Sequence, residues 1–192
     1  MKGLYVFLGI VVLLVFMGGC SYNGMNRGRV EVDNKWADVQ SSYQRRSDLI
    51  PNLVEVVKGE ANFEKSTLTE VIQARANATS IKVDPKDLTP EKLKEFQASQ
   101  GQLSQALGRL MVVSEQYPQL RSNESFRALQ DQLEGTENRI KTARDAFNGA
   151  VKDYNIQVTS FPKNLLAGMF GFKEKAMFQA DPAAQSAPKV KF

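Results

Sequence analysis

The stretch "QRRSDLIPNLVEVV", from Gln44 to Val57, decides how the helices of this chain are counted. Apolar residues three and four positions apart continue on both sides of Pro51, as in one amphipathic helix. A proline inside a helix removes a backbone hydrogen bond and clashes with an earlier carbonyl, at a cost of about 3 kcal/mol or more, but it is harmless in a first turn. With Ser47 or Asp48 as an N-cap, the stretch therefore predicts two antiparallel helices that meet near Asp48. A single long kinked helix is the alternative.

Similar apolar stripes along the chain predict four helices in all. They cover about 32–48, 49–77, 90–117 and 124–155. Thr89 and Pro90 are expected to begin the third helix, and Ser122 or Asn123 to cap the fourth. Helices of this length joined by short turns are typical of an up-and-down antiparallel four-helix bundle, so the predicted fold class is all-α.

The composition excludes most familiar active sites. The chain has 192 residues, no histidine and a single cysteine, Cys20. It therefore lacks the residues for a Cys/His zinc site, a histidine general base or a cysteine–histidine pair, and it can form no intrachain disulfide. No aspartate or glutamate stands in the apolar or glycine-rich setting of a magnesium or paired-carboxylate site. We expect no catalysis, no metal and no cofactor.

The distribution of charge argues against nucleic acid as a partner. The 25 basic and 21 acidic residues are interspersed along the chain and give a formal net charge of +4. Nucleic-acid surfaces concentrate their basic residues in a patch or stripe, and those for single strands add aromatic platforms. Because the sequence has neither feature, we expect no nucleic-acid partner.

The N-terminus predicts attachment to a membrane. In "MKGLYVFLGIVVLLVFMGGC", residues 1–20, Lys2 precedes an uncharged apolar stretch that ends in two glycines and Cys20. Three interpretations stay open: a cleaved secretory signal, an uncleaved transmembrane anchor slightly short of the about 20 residues that span a bilayer, and a lipoprotein signal with acylation of Cys20. The glycines suit lipoprotein processing, but Met17 stands where leucine is typical. Basic residues do not fix the orientation, although such a segment before a soluble domain usually indicates export.

Polar side chains at the predicted turn form a first candidate site. Arg46 falls on the apolar stripe, near Arg45, Asp48 and Asn52. A guanidinium in that position needs a carboxylate or carbonyls to offset its desolvation. We interpret the corner as an Arg–Asp clamp that fixes the turn, and a small-ligand or peptide-carboxylate site is the alternative.

The fourth predicted helix carries a second polar constellation, a candidate face for a protein partner. Its members are Glu137, Asn138, Arg144, Asn148 and Asn155. Asn148 and Asn155 are seven residues apart and are placed to hydrogen-bond to another helix. Glu137 and Lys141 are i,i+4 neighbours, which is also typical of an ordinary solvated face.

The stretch "FPKNLLAGMFGF", residues 161–172, is apolar but does not continue a long helix, so it must cover its surface somewhere. We expect it to fold back over the end of the bundle. The alternative is a contact with the membrane interface through Leu165, Met169, Phe170 and Phe172, between flanking lysines. The end of the chain is rich in alanine and proline, and we expect a disordered tail there.

Three blocks of the sequence resemble, in order and spacing, the LemA family. They are "WADVQSSYQRRSDLIPNLVEVVKGEA", "LQDQLEGTENRIKTARDAFNGAVKDYN" and "FPKNLLAGMFGFKEKAMF". The resemblance covers about residues 23–178, and it implies an N-terminal membrane segment and a helical bundle outside the cytoplasm. It implies no particular activity, because the family has no agreed one. Cys20, and Glu60 where the family often has an aromatic residue, depart from the pattern.

These features together predict a membrane segment over 1–20, a helical bundle over 21–178 and a tail over 179–192. The predicted function is that of a non-catalytic interaction or scaffold protein of the bacterial cell membrane, with its bundle on the extracytoplasmic side and an unidentified protein partner. The alternative is a small-ligand or peptide-binding module that uses the Arg46/Asn52 corner. The sequence leaves the oligomeric state open.

Overall fold

A computed structural model describes residues 2–60 and 63–179, and no strand occurs in these two ranges. The elements in chain order are α1 (Lys2–Lys58), α2 (Lys65–Ser80), a 3-10 turn (Pro85–Asp87), α3 (Pro90–Ser114), α4 (Pro118–Ser122), α5 (Glu124–Thr159) and α6 (Lys163–Phe170). The prediction of an all-α bundle is confirmed. The helices α1 and α5 run antiparallel. Trp36 of α1 lies against Phe147 of α5, with 5.4 Å between ring centroids, whereas Arg46, further along α1, bonds to Glu137, earlier on α5.

Pro51 lies inside α1, which continues without a break to Lys58. The predicted turn near Asp48 is therefore wrong, and the alternative of one long helix is correct. A proline at position 51 cannot donate to the carbonyl four residues earlier, which belongs to Ser47. In the structure Arg75 of α2 fills that place, since its Nε donates to the Ser47 carbonyl at 2.8 Å. A neighbouring helix thus replaces the hydrogen bond that the proline removes.

The first turn of the bundle comes about ten residues later than predicted. α1 ends at Lys58, and the amides of Gly59 and Glu60 bond back to its last carbonyls. Glycine directly after the last helical residue is a common helix end. The predicted second helix, 49–77, is consequently replaced by the end of α1 and by α2, which begins at Lys65. Phe63 in this connection is buried against the ring of Tyr117.

The predicted starts of the third and fourth helices are confirmed. The hydroxyl of Thr89 accepts a hydrogen bond from the amide of Lys92 at the start of α3. The side chain of Asn123 accepts from the amides of Ser125 and Phe126 at the start of α5. Both caps satisfy amides that would otherwise have no partner in the helix, and they depend only on local sequence.

Two clusters of buried apolar side chains fill the bundle at different heights along α1. The first core contains Val32, Trp36, Val39, Tyr43, Phe96, Ile140, Phe147, Val151, Tyr154, Phe172 and Phe178, among others. The second core contains Ile50, Leu53, Val57, Leu68, Val71, Leu103, Leu107, Leu110, Phe126 and Leu133, among others. The first core is rich in aromatic rings around Trp36, and the second is mainly aliphatic. The buried indole of Trp36 donates to the carbonyl of Val83 at 3.0 Å.

The predicted membrane segment continues the same helix as the rest of α1 from Lys2 onward. Its described apolar side chains, such as Leu4, Phe7 and Phe16, are exposed. Across 2–60 and 63–179, no helix combines the length and the apolar character needed to cross a membrane. The predicted tail lies outside the described residues, except for Gln179.

We predict that Arg75→Ala lowers the free energy of unfolding by about 1–3 kcal/mol, because the buried carbonyl of Ser47 loses its donor. Urea unfolding followed by circular dichroism measures the change. In a Pro51→Ala background the cost of Arg75→Ala should be smaller, because the new amide at position 51 can donate to the same carbonyl. An equal cost in both backgrounds would contradict the account given for Pro51.

Candidate functional site

Arg46 occupies the middle of the bundle, between the two cores. On α1 it comes after Tyr43 of the first core and before Ile50 of the second core. Its side chain is only 1% exposed, and the guanidinium lies 5.1 Å from the centre of the Tyr43 ring. A charge buried in this way is tolerated only when hydrogen bonds replace its water.

Those hydrogen bonds come from two other helices. Nη1 of Arg46 donates to the carboxylate of Glu137 on α5 at 2.6 Å and to the hydroxyl of Ser104 on α3 at 2.9 Å. Nη2 donates to the side-chain oxygen of Gln100 at 2.6 Å and to its carbonyl at 3.3 Å. Gln100 in turn donates from Nε2 to the carbonyl of Ala78, near the end of α2.

We call this set of residues the polar layer. It consists of Arg46, Ser47, Arg75, Gln100, Ser104 and Glu137. The layer ties α1 to α2, α3 and α5 at one height, between two apolar cores. Within the part of the chain that is described, the buried Nε of Arg46 has no hydrogen-bond partner. The other two guanidinium nitrogens make the four bonds given above.

The clamp predicted at this position exists, but with a different carboxylate. The side chains of Arg45, Asp48 and Asn52 are exposed, and none of them bonds to Arg46. Asp48 accepts instead from Gln44, one turn earlier on α1. Because α1 continues past Asp48, no corner forms there, and the prediction of an Arg–Asp pair is wrong. The true partner, Glu137, is 91 residues away in the sequence.

Part of the predicted partner face, from Arg144 to Asn155, binds a segment of the same chain that follows α6. We call residues 172–179 the strap; they follow α6 in non-helical conformation and lie against α5. The side chain of Asn155 donates to the carbonyl of Lys175 and accepts from its amide, both at 2.9 Å. Asn148 makes the same pair of bonds with Phe178, at 3.1 Å and 2.9 Å.

The spacing of these two asparagines matches the strap. Asn148 and Asn155 are seven residues apart on α5, which corresponds to about 10.5 Å along a helix axis. Their partners Lys175 and Phe178 are three residues apart, which is about 10 Å in an extended chain. The heptad spacing, interpreted from sequence as a helix-to-helix contact, therefore serves an extended segment instead.

Further contacts hold the strap along its length. Phe172 and Phe178 are buried in the first core, and the guanidinium of Arg144 lies over the ring of Phe178. The hydroxyl of Tyr154 donates to the carbonyl of Lys173. The ammonium of Lys175, whose side chain is 12% exposed, bonds to Asp33 of α1 at 2.7 Å. Three members of the predicted face, Arg144, Asn148 and Asn155, thus bind the strap.

The two remaining members of that face differ from each other. Glu137 accepts from Arg46, and Asn138 is exposed. Glu137 lines a groove of about 330 Å³ between α3 and α5. Leu107, Met111 and Leu133 form its apolar side, and Glu134 also lines it. The strap does not cover this part of the predicted partner face. A second groove of about 330 Å³ lies where the strap meets α5, and Glu137, Arg144, Asn148 and Phe178 are among the residues that line it.

The fold-back predicted for residues 161–172 is confirmed. Of the four residues proposed to touch a membrane, one is buried by it and three stay exposed. Phe172 is buried between Tyr22 and Arg29, so its assignment to a membrane contact is wrong. Leu165, Met169 and Phe170 are exposed on α6. Ala167, on the other side of α6, is buried in the first core.

The local environment raises the pKa of two tyrosines near these sites. Burial raises the pKa of Tyr43 above its ordinary value of 10.0, although the nearby charges of Arg144 and Arg46 oppose the shift. Burial also raises the pKa of Tyr154, against the opposing charge of Arg29. Both phenols therefore stay protonated as hydrogen-bonding, neutral groups. Within the described ranges, no three histidine, cysteine, aspartate or glutamate side chains form a group that could hold a metal ion.

Comparisons with known proteins agree with the resemblance found in the sequence. A family model described as LemA family matches residues 35–192. The magnetosome proteins MamQ 1 and MamQ 2 of Paramagnetospirillum magneticum are each 30% identical to this chain over 182 residues, which cover 86% of it and 67% of their own length. Protein LemA of Metamycoplasma hominis is 25% identical over 158 residues, which cover 82% of this chain and 68% of that protein.

We predict that Arg46→Ala lowers the free energy of unfolding by about 3–5 kcal/mol, since it leaves a cavity and unpaired polar groups in the polar layer. Glu137→Gln should cost about 1–3 kcal/mol, less than for a fully buried partner, because its side chain is 48% exposed. Urea unfolding measures both changes. Glu134→Gln, one turn away on α5, is the matched control and should stay within about 0.5 kcal/mol. A Glu137→Gln variant as stable as the control would contradict the role of the ion pair.

We also predict that Asn148→Ala combined with Asn155→Ala loosens the strap, because four side-chain-to-backbone hydrogen bonds are lost. Hydrogen exchange at the amides of Lys175 and Phe178 should become faster, while exchange in the second core stays unchanged. Asn138→Ala, an exposed asparagine on the same helix, is the control. Unchanged exchange in the double variant would show that the aromatic contacts alone hold the strap.

Proposed function

The chain belongs to the LemA family, and from that premise we propose that it is a membrane-attached interaction module that performs no catalysis. The observation that carries the proposal is the continuity of α1 from Lys2 to Lys58. One helix contains both the apolar N-terminal segment and the residues around which the bundle packs. Exposed apolar side chains in that segment, among them Leu4, Phe7 and Phe16, need another surface to cover them.

This continuity has a mechanical consequence. No flexible linker separates the attached segment from the bundle, so the attachment fixes the direction in which the bundle extends. From Cys20 to Lys58, α1 rises by about 57 Å. The second core and the groove between α3 and α5 are therefore held well away from the membrane, where a partner protein can reach them.

The groove between α3 and α5 is the surface that we assign to the partner. Its apolar lining by Leu107, Met111 and Leu133 suits an inserted apolar side chain, and Glu134 suits a basic neighbour. The names of the MamQ relatives include the word magnetosome, and neither these names nor that of protein LemA mentions a reaction or a ligand. The partner proposed here is consequently defined by chemistry alone: a segment that presents an apolar side chain beside lysine or arginine.

The proposed location is the extracytoplasmic side of a bacterial cell membrane. Support comes from the apolar segment that follows Lys2 and from Cys20, which is exposed on α1 and accessible for acylation. Attachment by an acylated Cys20 and attachment by an uncleaved apolar segment differ in mass. An intact mass that begins at a lipidated Cys20 supports the lipoprotein form, and one that includes Met1 supports the uncleaved form.

The alternative function, a ligand site at the Arg46/Asn52 corner, receives no support. Asn52 is exposed on α1, whereas the guanidinium of Arg46 is enclosed and already bound to Glu137, Ser104 and Gln100. A ligand at the surface near Asn52 could reach Arg46 only by displacing those hydrogen bonds. The polar layer is better explained as a structural element.

Site-directed photo-crosslinking in native membranes tests the proposed partner surface. With a photoreactive residue at Met111 in the groove, we expect one recurrent protein adduct, and at Gln105, exposed on the same helix but outside the groove, we expect none. Glu134→Lys should reduce the adduct, because it repels a basic partner. The same adducts from both positions, or no effect of Glu134→Lys, would contradict the assignment. Deletion of residues 1–20 should move most of the chain out of the membrane fraction, because the N-terminal segment supplies the main attachment.

A further inference from the structure

We propose that α6 lies on the surface of an anionic membrane, as a second contact beside the N-terminal segment. This inference rests on the membrane attachment proposed above and adds a site to it. Leu165 and Met169 are four residues apart, so they project from one face of α6, and Phe161 lies just before the helix begins. Their exposed fractions are 62%, 78% and 81%. Three large apolar side chains exposed within nine residues need a surface to cover them.

The opposite face of α6 fixes its orientation. Ala167 is buried in the first core, and Leu166 packs against the same core. The ring of Phe170 meets the ring of Tyr22 edge-on, with 5.2 Å between the centroids. Ala167, Leu166 and Phe170 therefore hold the helix against the bundle, and Leu165 and Met169 point away from it.

The position of α6 along the bundle is what points to a membrane. Tyr22, which contacts Phe170, comes two residues after Cys20 on α1. The last described exposed large side chain of the apolar segment of α1 is Phe16, six residues before Tyr22, which corresponds to about 9 Å along the helix axis. Both apolar surfaces thus lie at the same end of the bundle. A membrane that holds the N-terminal segment would lie next to α6.

The charges at this end fit an anionic surface. Residues 21–30 and 150–174 carry the basic residues Arg27, Arg29, Lys152, Lys163 and Lys173, against the acidic residues Asp153 and Glu174. Lys163 is the first residue of α6 and Lys173 follows its end by three residues, and both are exposed. A basic residue close to an anionic bilayer strengthens binding by about fivefold.

The same charges argue against a second copy of this chain as the occupant. A symmetric contact between two copies of α6 would bring Lys163 and Lys173 of one copy toward those of the other. Like charges across an interface oppose association, whereas phosphate headgroups attract them. A bilayer therefore fits both the apolar face of α6 and the lysines near it.

Depth-dependent fluorescence quenching tests the proposal on the full chain. In a Cys20→Ser background, a single cysteine introduced by Met169→Cys carries an environment-sensitive label. Phe7→Cys reports the N-terminal segment, and Val112→Cys, exposed on α3, is the matched control. The protein is reconstituted into vesicles of phosphatidylcholine and phosphatidylglycerol that contain a lipid with a nitroxide quencher. Circular dichroism should be unchanged, because all three side chains are exposed.

We expect the quencher to reduce the fluorescence of labels at Met169 and Phe7 and to leave the label at Val112 unchanged. Lys163→Gln combined with Lys173→Gln should weaken the quenching at Met169 only. Quenching at Phe7 without quenching at Met169 would overturn the inference about α6 and leave the membrane attachment standing. Quenching at neither position would overturn both the inference about α6 and attachment through the apolar segment of residues 1–20. Energy transfer between Met169 labels on different copies, without lipid quenching, would assign the face to a second copy.

Discussion

The buried guanidinium of Arg46 is the constraint on which the arrangement of the helices depends. A guanidinium removed from water must donate its hydrogen bonds to protein acceptors in fixed directions, and here the acceptors are Ser104 and Gln100 of α3 and Glu137 of α5. The two apolar cores favour many packings of similar energy, because apolar contact is not directional. A slip of α5 by one turn, about 5.4 Å, would separate Glu137 from Arg46. The polar layer therefore sets the register of helices that the cores hold together.

Pro51 adds to the same constraint through a backbone hydrogen bond. Its missing amide leaves the carbonyl of Ser47 without a partner in α1, and Ser47 is the immediate neighbour of Arg46. Arg75 supplies the replacement donor, which places α2 at one height against α1. A feature that weakens an isolated helix thus becomes a specific contact between two helices. The proline and the buried arginine fix three neighbours of α1 within about two turns of its length.

The sequence predicted those features that depend on residues close together in the chain. Apolar stripes gave the helical class, and the caps at Thr89 and Asn123 were located because a cap bonds to amides two or three residues later. The turn near Asp48 was predicted wrongly because the compensation for Pro51 comes from Arg75, 28 residues after Ser47. Glu137 as the partner of Arg46 and the strap as the partner of Asn148 and Asn155 were missed for the same reason. A single sequence contains no signal for such distant pairs.

The surface of α5 has two parts with different roles. One part binds the strap and stabilises the fold, and the other lines the groove that we assign to a partner. Asn148 and Asn155 are saturated by backbone groups of the strap, so this part of α5 helps to close the first core around Trp36. On the side of the polar layer that faces the second core, the groove between α3 and α5 stays open beside Leu107, Met111 and Leu133. Because α1 is continuous from the first core through the polar layer to the second core, these regions cannot turn independently of one another. The register set by Arg46 consequently determines the direction in which the open groove faces relative to α6 at the other end of the bundle.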